Sequence, residues 1–232
     1  MTTQTGLICV SVAAKDGQGI LDTVSPVVLL VDVVEIRLDH MINPKVDDWI
    51  AGIPKPVLVT NRPVWEGGQF AGGEQERIDL LCKAVRSGAQ YVDIELQTAQ
   101  DLRMQVLDVA RQHRTKVIVS SHDFQGTPPI AQLRETLQQM IASGGDIGKI
   151  VTTATNPGEA LHILSLQQEA VAASFPLSAF AMGTAGKITR LATLYLGGYM
   201  TYAAITAQQA TAPGQLSIHE LHALITLLET TA

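Results

Sequence analysis

Short apolar or alternating runs recur eight times along the chain: LICVSV (7–12), VVEIRLD (33–39), PVLVTNR (56–62), YVDIEL (91–96), KVIVSSHD (116–123), IGKIVTTA (147–154), LSAFAMG (177–183) and TYAAI (201–205). Each is too short for a helix of ordinary length and has the two-residue rhythm or continuous apolarity of a strand. Between them lie stretches with helical spacing of apolar residues, among them EQERIDLLCKAVRSGA (74–89), AQDLRMQVLDVARQH (99–113) and IAQLRETLQQMIASGG (130–145). Gly88 and the Gly144-Gly145 pair stand where helix C-caps fall, a position that needs the left-handed conformation glycine adopts freely. Ser217 and Glu220 form an S-x-x-E capping box ahead of LHALITLLE. Residues 184–200 read as one helix interrupted at Gly197-Gly198.

Strand and helix alternate without a linker or a low-complexity segment. Parallel strands need a crossover between each pair, so this rhythm predicts the α/β class. Eight such units can close, and the expected architecture is a single (β/α)8 TIM barrel domain over residues 1–232, with an open doubly wound sheet as the rival.

Composition narrows the function classes. With 232 residues, 46% of them hydrophobic, the chain can bury a large core. A net charge of −6 with 16 Lys+Arg argues against a nucleic-acid surface while leaving room for a local cationic pocket. The first apolar run is too short for a signal core or a membrane span, and no basic segment precedes it. Cys9 and Cys82 sit inside apolar runs and read as buried free thiols in a reducing, cytoplasmic setting.

In a barrel, functional side chains gather where strands end. Glu35, Arg37 and Asp39 alternate with Ile36 and Leu38, so the three charged groups are expected to face the barrel interior. Asp93 and Glu95 share a face of the fourth strand, and Glu66 follows Arg62 by one helical turn at the barrel mouth. The Gly67-Gly68 and Gly72-Gly73 pairs lack the spacing of a nucleotide motif and read as loop glycines. His122 ends the fifth strand beside Asp123, a placement that suits an acid–base group. A metal site built from His122, Asp123, Glu95 and Asp39 ranks lower, because no second histidine stands at ligand spacing. Lys149 lies inside the sixth strand between Gly148 and Ile150. It reads either as an ion-paired lysine or as a desolvated amine, partly neutral and nucleophilic, able to form an imine. Neighbouring strands bring His122 and Lys149 together as a central pair, with Glu66, Asp93 and Glu95 as equal candidates for the carboxylate behind the histidine.

The segments EIRLD, TNRPVWEGG, YVDIEL, SSHDF, DIGKIV, AMGTAGKITR and APGQ, in this order, resemble the type I 3-dehydroquinate dehydratases. The resemblance spans nearly the whole chain, and its firmest part is SHDF followed 27 residues after the histidine by the G-K-I strand. It implies a hydro-lyase of the shikimate pathway that eliminates water from 3-dehydroquinate through an imine on Lys149. In that scheme His122 moves the protons and Glu66 is the carboxylate that orients it. Arg190 is implied to bind the substrate carboxylate, with Ser11, Glu35, Arg37, Arg62, Thr211 and Gln215 as further substrate contacts. The resemblance further implies a cytoplasmic homodimer with no cofactor, no metal and no membrane or nucleic-acid partner. Thr211 stands where the family usually has serine before APGQ, and Thr189 where serine often precedes the arginine; both keep a hydroxyl. Phe180 and Ala181 replace the commoner methionine and serine of the seventh strand, and the segment from Tyr202 to Thr211 is about two residues longer than usual. Rival readings are another Schiff-base lyase or aldolase, a metal-dependent barrel hydrolase, and a barrel that binds without turnover.

Overall fold

The computed structural model describes residues 6–44, 46 and 49–230. Eight strands run in chain order, β1 (Leu7–Val12), β2 (Val33–Arg37), β3 (Val57–Thr60), β4 (Tyr91–Glu95), β5 (Lys116–His122), β6 (Ile147–Thr153), β7 (Leu177–Met182) and β8 (Met200–Ala204). Between and after them come α1 (Gly17–Val24), α2 (Glu74–Arg86), α3 (Gln100–His113), α4 (Ile130–Ala142), α5 (Pro157–Ala172), α6 (Gly183–Tyr195) and α7 (Ile218–Glu229). All strand pairings are parallel, in the order β7-β6-β5-β4-β3-β2-β1-β8. The first strand therefore joins the last, and the sheet curls into the expected barrel. Its seam lies between β7 and β8, where Tyr199 N–H donates to the Leu177 carbonyl at 2.8 Å and Met200 N–H to the Ser178 hydroxyl at 3.1 Å.

The strand alternation sorts the apolar residues into two cores. Outward side chains such as Val10, Ile36, Val59, Ile94 and Val119 pack on the helices in one large cluster. Inward side chains, including Cys9, Val33, Leu58, Ile118, Ile147, Val151, Phe180 and Met200, form a second cluster within the barrel. Both thiols are free and buried. The polar inward positions lie toward the carboxyl ends, so the apolar interior supports them from below.

Several boundaries differ from the sequence reading. β2 stops at Arg37, and Leu38–His40 forms a 3₁₀ turn, so Asp39 belongs to the rim and not to the inward face of the strand. β3 stops at Thr60. The helix expected to be interrupted at Gly197-Gly198 is instead terminated, α6 ending at Tyr195. Gly197 takes φ 87° in the turn, and a Cβ on Gly198 would lie 2.2 Å from Thr193 Oγ1, so the chain folds back tightly on the last helical turn. Gly88 and Gly144 have φ of 96° and 85° at the expected helix ends, and both halves of the Ser217–Glu220 capping box are present. Among the described residues no helix is long and apolar enough to cross a membrane.

Candidate active site

The inward alternation places Ser11, Glu35, Arg37, Thr60, His122, Lys149, Phe180 and Tyr202 around one cavity at the carboxyl ends of the strands. Loop and helix residues complete the lining: Arg62, Glu66, Gly67, Phe124, Arg190, Thr211 and Gln215. A wider opening of about 450 Å³ adjoins it, sharing Ser11, Arg37, Gly67 and Thr211 and bounded by His40, Gln69 and Gln209.

Lys149 is buried, with its side chain 6% exposed. It is not an isolated amine. Its Nζ donates to Asp93 Oδ2 at 3.2 Å, lies 3.6 Å from Glu35 Oε1, and sits 4.0 Å above the centroid of the Tyr202 ring. Glu35 is held in turn by the Ser11 hydroxyl and by Thr60 Oγ1 at 2.7 Å. Of the two alternatives left open for this lysine, the structure shows the ion-paired one, held in a buried position.

His122 Nδ1 lies 2.8 Å from Glu66 Oε1, leaving Nε2 free to address the cavity. Glu66 owes its position to a tight turn that its glycines make. Gly67 has φ 76°, a Cβ there would collide with the Phe124 ring at 2.3 Å, and one on Gly68 would lie 2.0 Å from the Arg62 carbonyl oxygen. Phe124 stacks against the imidazole with ring centroids 6.3 Å apart. Burial pushes both partners toward neutral forms. The Glu66 carboxyl rises to about 8, with Arg62 opposing and Glu95 and Asp93 adding to the rise. The His122 imidazole falls well below the ordinary histidine range through burial, then through the cations Arg62, Lys149, Arg37 and Arg190. A neutral imidazole beside a neutral carboxyl holds the same number of protons as an imidazolium beside a carboxylate. One proton can thus move between Nδ1 and Oε1 without changing the net charge of the site.

Beneath this pair Arg62 makes a dense set of bonds, with Nη1 to Glu95 at 2.6 Å and Ser120 Oγ at 2.8 Å, and Nη2 to Asp93 Oδ1 at 2.8 Å. Its Nη1 also lies 3.6 Å from Glu66. Burial alone would weaken this cation, but the surrounding carboxylates outweigh it and hold Arg62 firmly charged. Burial likewise raises Asp93, yet Arg62, Lys149 and the Ser120 hydroxyl outweigh it and keep Asp93 below its usual range. Arg37 is paired bidentately with Asp39 at 2.8 and 2.6 Å, and Asp39 also accepts from the backbone N–H of Gln69 at 3.0 Å.

Arg190 is different. It is 2% exposed, its Nε has no hydrogen-bond partner, and Nη2 reaches only the Pro213 carbonyl at 3.4 Å. Its guanidinium lies 4.8 Å from the Phe180 ring centroid. Burial, with no carboxylate to offset it, pushes this arginine down to about 10. An uncompensated cation facing a cavity is a receptor for an anion, and a planar fork suits a carboxylate. Nearby, Gln215 Oε1 accepts from Thr211 N–H at 2.8 Å, fixing the loop that carries Pro213.

The ten residues to which the resemblance gives roles line this cavity: Lys149, His122, Glu66, Ser11, Glu35, Arg37, Arg62, Arg190, Thr211 and Gln215, whereas Asp39, Asp93, Glu95 and Asp123, also singled out from the sequence, do not. The geometry separates the carboxylates that spacing had left equal. Glu66 faces His122, Asp93 faces Lys149, and Glu95 lies between Arg62 and Arg77. Asp123 does not contact the imidazole; it accepts from Gln125 and Gly126 N–H and shapes a turn. Among the described residues no group of three His, Cys, Asp or Glu is arranged to hold a metal ion. Sequence reasoning missed Tyr202 beneath the amine and Ser120 beneath Arg62. Continuing the strand alternation through TYAAI and KVIVSSHD would have turned both inward.

Charged and nucleophilic groups collected at the carboxyl ends of a closed parallel barrel define a (β/α)8-barrel enzyme. The sequence model of the type I 3-dehydroquinase family matches residues 8–232, and the chain belongs to that family. The 3-dehydroquinate dehydratase of Desulfotalea psychrophila is 39% identical over 193 residues, covering 83% of this chain and 85% of that protein. The type I 3-dehydroquinate dehydratase of Clostridium difficile, solved with covalently modified comenic acid, superposes with a TM-score of 0.85 at 27% identity, covering 97% of this chain and 92% of that one. The 3-dehydroquinate dehydratase of Geobacillus kaustophilus gives 0.84 at 29% identity, covering 98% and 93%.

Proposed function

We propose that this enzyme dehydrates 3-dehydroquinate to 3-dehydroshikimate through a Schiff base on Lys149. The observation that carries the reading is the shared cavity, in which an uncompensated guanidinium, Arg190, faces the same space as a buried amine and an imidazole–carboxylate pair. Such a cavity fits a small ring compound with a carboxylate at one end and a ketone at the other.

In this scheme the carboxylate docks on Arg190 and the C3 carbonyl meets Lys149 Nζ. Attack gives a carbinolamine, and loss of its hydroxyl as water gives an iminium that acidifies the C2 protons. His122 Nε2 removes one of them, and the electron pair passes into an enamine. The enamine expels the C1 hydroxyl, which takes the proton from His122 and leaves as water on the same face. Water then hydrolyses the iminium, releasing product and free lysine. Glu66 keeps the imidazole oriented and accepts its charge, a role suited to a carboxyl that can hold the shared proton. Arg62, fixed by Asp93, Glu95 and Ser120, supports both groups. Ser11, Glu35, Arg37, Thr211 and Gln215 are assigned to substrate hydroxyls and to the loop over the cavity. The same reading places the enzyme in the shikimate pathway as a cytoplasmic homodimer of single-domain subunits, working without cofactor or metal; the family resemblance supports these points.

The test is the ultraviolet absorbance of the conjugated product formed from 3-dehydroquinate in chelator, followed by borohydride reduction and mass spectrometry. Product and an adduct on Lys149 are expected. Turnover with no adduct would overturn the imine, and metal-dependent turnover would favour the hydrolase rival.

A further inference from the structure

Arg77 lies on α2, in the outer layer of the barrel, and no step above uses it. Its side chain is nevertheless fully buried, at 0% exposure. Nη1 donates to Glu95 Oε2 at 2.5 Å and to the Asn61 carbonyl at 3.3 Å. Nη2 donates to Thr98 Oγ1 at 2.9 Å and to Glu74 Oε1 at 2.6 Å, while Nε donates to Glu74 Oε2 at 2.8 Å. Every donor nitrogen of this guanidinium is occupied. An apolar residue would join a helix to a sheet without the cost of desolvating a cation, so packing alone gives no reason for an arginine here.

The reason lies on the other side of Glu95. That carboxylate is fully buried and divided between two arginines, with Oε2 to Arg77 and Oε1 to Arg62. Charges of alternating sign therefore run unbroken from the outer layer into the cavity: Glu74, Arg77, Glu95, Arg62, Asp93 and Lys149. Without Arg77, Glu95 would draw Arg62 toward itself. Asp93 and Glu66, the other carboxylates that face Arg62, would lose part of its charge, and so would the His122 and Lys149 groups they touch. Burial already presses Glu95 toward its neutral form against the pull of Arg62 and Arg77, so it depends on both cations.

We infer that Arg77 is a positioning residue for the proposed dehydration: by neutralising Glu95 from outside the barrel, it leaves Arg62 free to support Asp93, Glu66 and, through them, Lys149 and His122. The inference rests on the function proposed above. Its distinguishing feature is that charge balance matters, not only the filling of space.

The experiment compares Arg77→Met, Arg77→Lys and the double variant Arg77→Met/Glu95→Gln with the wild-type enzyme, measuring kcat and KM against pH. Arg77→Met is expected to lower kcat by about 30-fold with KM within about threefold, and to move the pH–rate profile by about half a unit. Arg77→Lys keeps the charge and is expected to stay within about fivefold of wild type. The double variant removes the stranded anion together with its cation, and is expected to regain most of the lost kcat and the wild-type profile. A folded Arg77→Met enzyme with a wild-type profile would overturn the inference, as would a folded double variant no better than the single. If Arg77→Met does not fold, a folded double variant with near-wild-type kcat and pH profile supports the inference, and one with the full kcat defect overturns it. If that fails too, a folded Arg77→Lys with the full kcat defect overturns the role of charge, and one near wild type supports it. Absence of dehydration by the wild-type enzyme would instead remove the proposed function itself.

Discussion

On the β3–β6 side of the cavity Arg62 is bonded to two carboxylates and a hydroxyl, and Lys149 faces two carboxylates of its own. Across the mouth, beside β7 and β8, Arg190 is equally buried and has no carboxylate at all, only a carbonyl oxygen and the face of Phe180. The same kind of charge is thus treated in two ways within one barrel. A saturated network holds its members in fixed places whether or not ligand is present, which is the requirement for moving protons with defined geometry. An unsaturated cation is costly in the free protein and becomes satisfied when an anion arrives, which is the requirement for recognition. In the proposed mechanism, chemistry and anchoring fall to different walls.

The sharpest break of this comparison is on the saturated side. Lys149→Ala is expected to lower kcat by at least about 10⁴-fold while Arg190 still binds the carboxylate, so that ligand-induced thermal stabilisation survives. His122→Ala should differ in kind: it should accumulate an adduct at Lys149, visible by mass spectrometry, while releasing product very slowly. Wild-type rates in either variant would show that the chemistry lies elsewhere.

Arg190→Leu tests the opposite wall. KM is expected to rise by about 100-fold, the loss of a charge-assisted pair, with a smaller effect on kcat. The free protein should at the same time gain on the order of 1 kcal/mol of stability, since a buried cation without a counter-ion is removed. Calorimetry and steady-state kinetics read both. A destabilised Arg190→Leu enzyme would mean that the cation is compensated and the two walls are alike.

The last effect is expected at Glu66, within the saturated network, and it concerns pH. A carboxyl raised to about 8 in the folded state contributes stability that is fully present below its unfolded pKa and lost as pH climbs to 8. His122, lowered in the folded state, acts in the opposite sense: its contribution is present above the ordinary histidine range and lost as pH falls below it. The two slopes oppose each other in the wild type. Glu66→Gln removes the first, so its stability relative to wild type should improve by roughly 3 kcal/mol between pH 5 and pH 8. Urea unfolding at the two pH values measures it, and parallel pH dependence in both proteins would refute the assignment.

The barrel was legible because alternation and helical spacing are local properties. Six of the eight strands fall within one residue of the runs read from the sequence, and β2 and β3 stop two residues short, at Arg37 and Thr60. Those ends are decided by long-range bonds such as Asp39 to the Arg62 and Gln69 N–H groups, which no local pattern announces. The residues around the cavity were legible from strand-end placement and from the family's motifs. Their partners were not legible from spacing, and Glu66 behind His122 came only from the resemblance. That Glu66 takes His122, and Glu95 takes Arg62 and Arg77, depends on side chains from β3, β4, β5 and α2 converging in space. Arg77 illustrates the limit: within EQERIDLLCKAVR it has the spacing of a surface arginine paired with Glu74, and only the packed structure turns it inward.

The seam between β7 and β8 gives the anchoring wall a mechanical character. Every other neighbouring pair of strands is joined by a regular ladder of amide bonds, whereas here a single backbone bond and the Ser178 hydroxyl complete the ring. The cavity side chains flanking this line, Phe180 and Tyr202, touch ring to ring at 5.8 Å across it. The barrel is thus least stiff beside Phe180, the ring against which the Arg190 guanidinium rests. An amide-exchange map should show the strand edges there opening more readily than the β3–β6 arc, the response expected of a rigid half-cylinder with one compliant stave.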